Sequence, residues 1–563
     1  MQTGAPEMPP VRLRRLLGFE SADPLFAPAL ALALALALLP AVQVLHTDTD
    51  RTAALILLPA VWLAFRRPAP SAARPESVDG WLLAFAGVLA LLSALLSLQP
   101  AANLVLTCAW LWVAAGGATA ARLARSPAAP RLVMAGIAAG CVLGAVWARC
   151  LPVSGGAFPL YGHARIFGIH MLVGSAAVVA LLIHPPRHRL GKAVVIAAAV
   201  IVWSGLLWSG GRGPLVGLAA GLAVWWWRGG ARERTRLVIW TPVLLLAGLA
   251  VSHFFGTRAY NLGWGRTVAS TVNASGFQGL SSERNLIWGQ TLREIGPQPW
   301  LGQGADAYRF FQPMPVGDQP HNFILQWILA FGAPAALALM IVVARRTVRG
   351  LRAIDSTDTC SAWRRAAAAG FLAAVVSAMF DGGFYHAVSL IPVVVLAGIA
   401  GSVPAGATAV AASGRRVWPT LRAAGLTTAA AVVFLHAYLF FHLLAPPPAS
   451  PHAAPARILR IFPSATYGFW RWMNVWTPSV PVEERLDWLA WAGRHSPQPA
   501  IFYYQAAGCH LERRDLPAAA DSLSRAVATS HGHARRTYAD LLRITEEAIA
   551  KKTAPRPQPS DAP

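Results

Sequence analysis

The chain has 563 residues, 55% of them hydrophobic and only 13% charged, with a mean hydropathy of +0.47. Apolar residues in that proportion, gathered into long solid runs, exclude a soluble globular protein and also a β-barrel, whose strands alternate in short segments. The net charge of +23 would suggest a nucleic-acid partner in a soluble chain. Here the basic residues sit mostly in short loops between apolar runs, where they report membrane topology, so nucleic acid is not an expected partner.

The composition predicts an all-α polytopic membrane protein. Apolar runs occur near 26–46, 52–65, 81–98, 102–119, 131–150, 168–184, 192–209, 213–227, 237–254, 321–344, 365–381, 387–403 and 420–444, which gives about 13 transmembrane helices. The first run has no small-residue cleavage site after it and is expected to be retained. Basic stretches at Arg66-Arg67, Arg122 to Arg131, Arg187 to Lys192, Arg228 to Arg236, Arg345 to Arg365 and Arg415-Arg416 occupy every second loop. Placing them in the cytoplasm puts the N-terminus inside and the C-terminus outside. The outer face then carries 151–165, 209–213, the long loop 255–320, 381–386 and everything after 445.

The expected organisation is a cytoplasmic tail over 1–25 and a transmembrane domain over 26–444. A Pro-rich linker over 445–455 and a small helical domain over 456–553 follow, then a Pro-rich, disordered tail over 554–563. Within 500–530 the pattern predicts a helical hairpin. Its small residues Ala507, Gly508, Ala518 and Ala526 mimic a tetratricopeptide-type unit. The five cysteines, at 108, 141, 150, 360 and 509, have no metal-ligand spacing. Cys150 and Cys509 read as buried thiols rather than a disulfide, and no metal or other cofactor is expected.

The residues with chemistry cluster on the outer face. Arg212 lies in Trp208-Ser-Gly-Gly-Arg-Gly-Pro214, a tight break between two apolar spans. Backbone N–H groups on such a turn and a guanidinium make an anion cradle; the structural alternative is an arginine marking the end of a span. Arg284 follows Ser281-Ser282, which can cap a helix that Gly296-Pro297 stops. Helical spacing puts Arg284, Trp288, Thr291 and Ile295 on one face, next to an apolar stripe expected to face the membrane. His321 follows Asp318-Gln-Pro320 and opens the next span. With Asp318 as its cap, the positive end of that helix would disfavour the imidazolium and leave the ring available as a base. Asn322 and Gln326, one turn apart, can line the same pocket. Tyr161, His163 and Arg165 on one outer loop, and Asp381, Tyr385 and His386 on another, are secondary candidates.

Taken as a set, Trp208-Ser-Gly-Gly-Arg-Gly-Pro-Leu-Val-Gly217, Arg284-Asn-Leu-Ile-Trp288, Pro299-Trp-Leu-Gly-Gln-Gly304 and His321-Asn-Phe-Ile-Leu-Gln326 resemble the O-antigen ligase/polymerase superfamily of bacterial inner membranes. The resemblance covers about 190–345. It departs from the family pattern in the glycine before Arg212, where a serine is common, and in Ala330-Phe-Gly332, which lacks the glutamate often seen before the glycine. It implies a GT-C-type membrane glycosyltransferase acting at the periplasmic face without metal or nucleotide sugar. The implied donor is an undecaprenyl-diphosphate-linked glycan, and the implied acceptor is lipid A–core, with membrane lipids around the protein. It also implies that Arg212 and Arg284 bind the diphosphate and that His321 is catalytic; Asn322, Gln326, Arg165 and Asp381 are supporting candidates read from the residues themselves. Protein O-oligosaccharyltransferases and polysaccharide polymerases share this pattern and remain open, the former because of the C-terminal extension. A lipid-linked glycan transporter is the alternative from a different class. Transporters usually carry internal repeats and mid-span ionisable groups, and neither is visible here.

Overall fold

The computed structural model describes residues 23–44, 53–66, 78–97, 100–126, 128–150, 161, 164–254, 284–305, 307–308, 319–352, 359–402, 481–495, 499–530 and 532–553, with isolated residues at 263, 268, 272–273, 427–428, 431–432 and 434. Among these residues the fold is all-helical, with no strand. The helices are α1 Phe26–Val44, α2 Leu58–Arg66, α3 Val78–Leu96, α4 Pro100–Leu123, α5 Ala129–Cys150, α6 Ala164–Ile183, α7 Arg189–Trp208, α8 Arg212–Arg228 and α9 Ala231–Phe254. After them come α10 Arg284–Ile295, α11 Phe323–Phe331, α12 Ala333–Arg352, α13 Thr359–Ala378 and α14 Ala387–Ala400. Four more lie near the C-terminus: α15 Val482–His495, α16 Pro499–Glu512, α17 Leu516–Thr529 and α18 Gly532–Thr553.

Six described helices are long and apolar enough to cross a membrane: Val78–Leu96, Asn103–Leu123, Ala129–Cys150, Ala164–Ile183, Arg189–Trp208 and Ala231–Phe254. Three shorter apolar helices lie at Phe26–Val42, Leu55–Ala64 and Ala387–Ala400. The expected run at 420–444 falls almost wholly outside the described residues, as does most of 255–320. Other runs carry arginines into their ends, as α8, α12 and α13 do.

One expected span is two helices. The run 321–344 breaks at Gly332, where φ is +83°. The break is built by the Pro299–Gly304 motif, which packs its backbone into the gap. Gln303 N–H donates to Leu329 O at 2.7 Å, Gly304 N–H to Ala330 O at 3.0 Å, and Ala333 N–H to Pro299 O at 2.8 Å. Ser93 closes the same joint, donating to Ala330 O at 2.7 Å and accepting from Gly304 N–H at 3.0 Å. Helix carbonyls freed at the kink are thus satisfied inside the protein, as a low-dielectric setting requires. A Cβ at position 332 would sit 2.0 Å from Trp300 O, so glycine is needed there for space as well as for φ.

The core is organised around α6, which is buried along nearly its whole length and packs against α5, α7, α8, α13 and α14. Large apolar side chains on α3 and α9, such as Trp81, Leu96, Leu246 and Phe254, point outward. Such a surface is a liability in water and the expected one in lipid. A buried ion pair ties α9 to α13: Arg365 Nη2 donates to Glu233 Oε1 at 3.0 Å and Nε to Oε2 at 3.2 Å, with His184 Nε2 3.7 Å from the same carboxylate. Glu233→Ala removes the carboxylate that faces the buried Arg365, so the detergent-purified protein should lose about 3–5 kcal/mol of stability, read as a lower thermal midpoint.

α15 to α18 pack sequentially, each against the next, as consecutive helical hairpins. Cys509 is buried among them as a free thiol. Cys150, expected to be buried, is exposed at the last residue of α5 and is also free.

Candidate functional site

The site forms at one end of the bundle, where the turn between α13 and α14 meets the first turn of α8. Gly213, Gly217 and Gly221 recur every fourth residue and turn a side-chain-free stripe of α8 toward α13. A Cβ on Gly217 would lie 2.3 Å from Ala373 O, and one on Gly221 2.6 Å from Ala369 O. Small residues at this spacing let two helix backbones approach closely where no hydrophobic force drives helices together. The same contact seats the N-terminus of α8 on Asp381, since a Cβ on Gly213 would lie 2.6 Å from Asp381 Oδ2. Gly217→Val should push α8 off α13 at a cost of about 1–3 kcal/mol. Because the shift also displaces Arg212, the activity of the site should fall further than the unfolded fraction accounts for.

Asp381 is buried in the turn at residues 379–386 and is the hub of the cluster. Arg284 Nη2, on the first residue of α10, donates to Asp381 Oδ1 at 2.8 Å, with side chains 11% and 2% exposed. Arg165, in the first turn of α6, and Arg212, the first residue of α8, act on the same carboxylate electrostatically. Burial pushes the Asp381 carboxyl up, against the pull of Arg284, Arg165 and Arg212. Four helix-linked elements thus deliver three cations and one anion to one place. Among the described residues three guanidiniums face this one carboxylate, an excess of two positive charges.

His321 reaches the same place from the other side. Its backbone is left-handed, with φ +51°, a conformation a histidine adopts at an energetic cost. On one flank, Pro320 O accepts from Trp288 Nε1 of α10 at 3.0 Å. On the other, Asn322 Nδ2 donates to Met379 O at 3.2 Å, two residues before Asp381. His321 is therefore held between the helix that carries Arg284 and the turn that carries Asp381. Gln319 Nε2 lies 3.2 Å from His386 Nε2 and packs on Gly382, closing the shell.

Several expectations change. The cap of α11 is Asn322, whose Oδ1 accepts from Ile324 N–H at 3.0 Å and Leu325 N–H at 3.1 Å; Asp318 lies outside the described residues. His321 precedes that cap instead of sitting in the first helical turn, because the short broken helix begins at Phe323. Asn322 is engaged at both ends of its amide, and Gln326 is buried one turn further on. The stripe beside Arg284 turns inward: Thr291 and Ile295 are buried, Ile295 in a cluster with Tyr308 and Leu329, while Leu286 and Leu292 on other faces are exposed. Tyr161 is drawn away from the cluster by its hydroxyl, 2.8 Å from His170 Nδ1 in the core. His163 lies outside the described residues.

Gln319 carries no sequence signal of its own, and Asp381 stands in the sequence only as a secondary candidate. The signal for Asp381 was present: it is an ionisable residue on a short turn between two apolar runs, which is costly at a membrane without a function. Its arginine partners are 97 to 216 residues away in the chain, so spacing could not pair them.

Among the described residues the structure is an all-helical bundle with six membrane-capable helices and a cluster of arginines around Asp381 at one end. Residues 197–340 match the family model for O-antigen ligase, which supports the resemblance of this stretch to the O-antigen ligase/polymerase superfamily. The matched stretch holds Arg212, Arg284, His321, Asn322 and Gln326; Arg165 and Asp381 come from outside it. No curated protein matches the chain.

Proposed function

We propose that the protein is an O-antigen ligase of the bacterial inner membrane. It moves a glycan from undecaprenyl diphosphate to a hydroxyl of lipid A–core at the periplasmic face. The convergence of Arg165, Arg212 and Arg284 on Asp381, with His321 alongside, carries this reading. A glycosyl polyprenyl diphosphate carries two negative charges, equal and opposite to the excess of the cluster.

In the proposed reaction His321 takes the proton of the acceptor hydroxyl as that oxygen bonds to the anomeric carbon. The bond from that carbon to the diphosphate breaks, and the configuration at carbon inverts. Arg212 and Arg284 take up the charge released on the departing diphosphate, the electrostatic contribution that usually dominates such steps. Guanidiniums suit the task because they stay charged when buried and bind two phosphate oxygens at once.

One contact favours a second reading, a protein acceptor. Arg536 of α18 lies 3.3 Å from Glu294 on α10, linking the C-terminal helices to the helix that begins with Arg284. A domain so attached can present a protein substrate, as a protein O-oligosaccharyltransferase needs. The test is a deletion strain complemented with the wild-type gene, with lipopolysaccharide and glycoprotein gels run side by side. Loss of the long-chain lipopolysaccharide ladder on deletion, restored by the wild type, supports the ligase. An unchanged ladder with a mass shift on a periplasmic protein replaces it with the second reading.

A further inference from the structure

The end of the bundle opposite Asp381 holds a second cation cluster that glycan transfer does not use. The last three turns of α12 carry Arg345, Arg346 and Arg349, and all three turn to Asp79, the second residue of α3. Arg345 Nε donates to Asp79 Oδ1 at 2.7 Å and Arg349 Nη1 to Oδ2 at 3.2 Å, while Arg346 Nε lies 3.8 Å from Oδ2. Asp79 is buried, but the arginine side chains keep 39%, 18% and 32% of their exposure in chain order. Among the described residues one carboxylate faces three guanidiniums, which leaves two positive charges at the membrane boundary. Arg346 and Arg349 also donate to Ala397 O and Gly401 O, but carbonyl groups bring no charge.

An apolar slot starts from the same arginines. It has a volume of about 210 Å³ and lies between α3, α4, α12 and α14, with Arg346 lining one end and Trp327 and Phe384 the other. Ala114 and Ala118 of α4 are exposed along it, so it opens to the surroundings of the bundle. From Thr107 to Ala118 the α4 wall rises about 16 Å. That apolar lining suits a hydrocarbon chain and offers a charged headgroup no partner beyond Arg346. At the far end Trp327 stacks on Phe384 with ring centroids 5.8 Å apart, and Phe323 packs on Phe384 at 5.0 Å. These rings stand between the slot and the His321–Asp381 shell. A chain from the arginine end enters without passing them, whereas one from the glycan-transfer site would have to.

We propose that this is a binding site for an anionic phospholipid of the leaflet opposite the Asp381 cluster, with the phosphate among Arg345, Arg346 and Arg349 and one acyl chain in the slot. The phosphate supplies the missing negative charge, and the chain fills the gap between α3 and α12. A lipid held there stabilises the contact of α3 with α12, because a ligand that binds only the folded state shifts the folding equilibrium toward it.

The test uses the full-length protein in a neutral detergent, titrated with phosphatidylglycerol or with phosphatidylcholine of the same chains. Retained lipid is counted by native mass spectrometry, and thermal midpoints are recorded. Phosphatidylglycerol should be retained and should raise the midpoint; phosphatidylcholine should do neither. Arg346→Gln and Arg349→Gln should each weaken phosphatidylglycerol binding about fivefold, the scale of one basic side chain near an anionic surface. Ala114→Phe fills the slot without touching an arginine and should also abolish retention, which keeps the test alive if Arg349→Gln fails to fold. Glycerol phosphate, a headgroup without chains, should not protect. Equal stabilisation by both lipids, or phosphatidylglycerol binding that survives Ala114→Phe, overturns the proposal. So does displacement of phosphatidylglycerol by a polyprenyl phosphate, which would give the slot to the carrier's tail.

Discussion

His321→Ala is expected to lower glycan transfer by about 10²–10⁴-fold, the usual contribution of a general base, in protein that still folds. The expectation rests on position: His321 is clasped between α10, which carries Arg284, and the turn that carries Asp381. Its left-handed backbone provides a control. Glycine adopts that conformation without strain, at a gain of about 1–2 kcal/mol that its greater freedom when unfolded largely offsets. His321→Gly should therefore match the wild type in thermal midpoint to within about 1 kcal/mol while losing transfer as completely as the alanine variant. Both are measured on purified protein with a lipid-linked glycan donor and an isolated acceptor. Wild-type rates in either variant would make His321 a structural residue and turn attention to His386, which lies against Gln319 in the same shell.

Asp381→Ala is expected to be the most destabilising change at the site. It removes the buried carboxylate that Arg284 contacts directly and on which Arg165 and Arg212 also act. Removing one partner from a buried ion pair costs about 3–5 kcal/mol, because the remaining charge stays desolvated. The loss should be partly reversible by ligand: inorganic pyrophosphate, which offers the same charge to the same guanidiniums, should raise the midpoint of Asp381→Ala more than that of the wild type. Arg284→Ala should weaken that pyrophosphate effect, since it removes the cation in direct contact with the carboxylate. An unchanged midpoint for Asp381→Ala would show that water solvates the three arginines, and the charge-matching argument for the donor would fall with it.

Helical class, membrane character and the two arginines were legible because each is a local property. Runs of apolar residues report burial in lipid regardless of partners, and a charge on a glycine-rich turn at the end of such a run stands out wherever the chain goes next. The Pro299–Gly304 stretch was legible as a turn but not as a splice. Its hydrogen bonds go to Leu329, Ala330 and Ala333, and nothing in its own residues says that a helix some 30 residues later will be broken to receive them.

The sequence by itself determined which groups are available: an all-helical bundle fit for lipid, arginines at 165, 212 and 284, a histidine opening an apolar run, and an aspartate on a short turn. Only the tertiary structure decided that they meet. Asp381 became the hub because the glycine stripe of α8 lets that helix lie directly on α13, and the break at Gly332 makes α11 short. That short helix starts from a cap bonded to the same turn, which brings His321 to it. Both are contacts between backbones far apart in the chain. Their energy lies in close approach and in hydrogen bonds to distant carbonyls, which have no periodicity for a sequence to display.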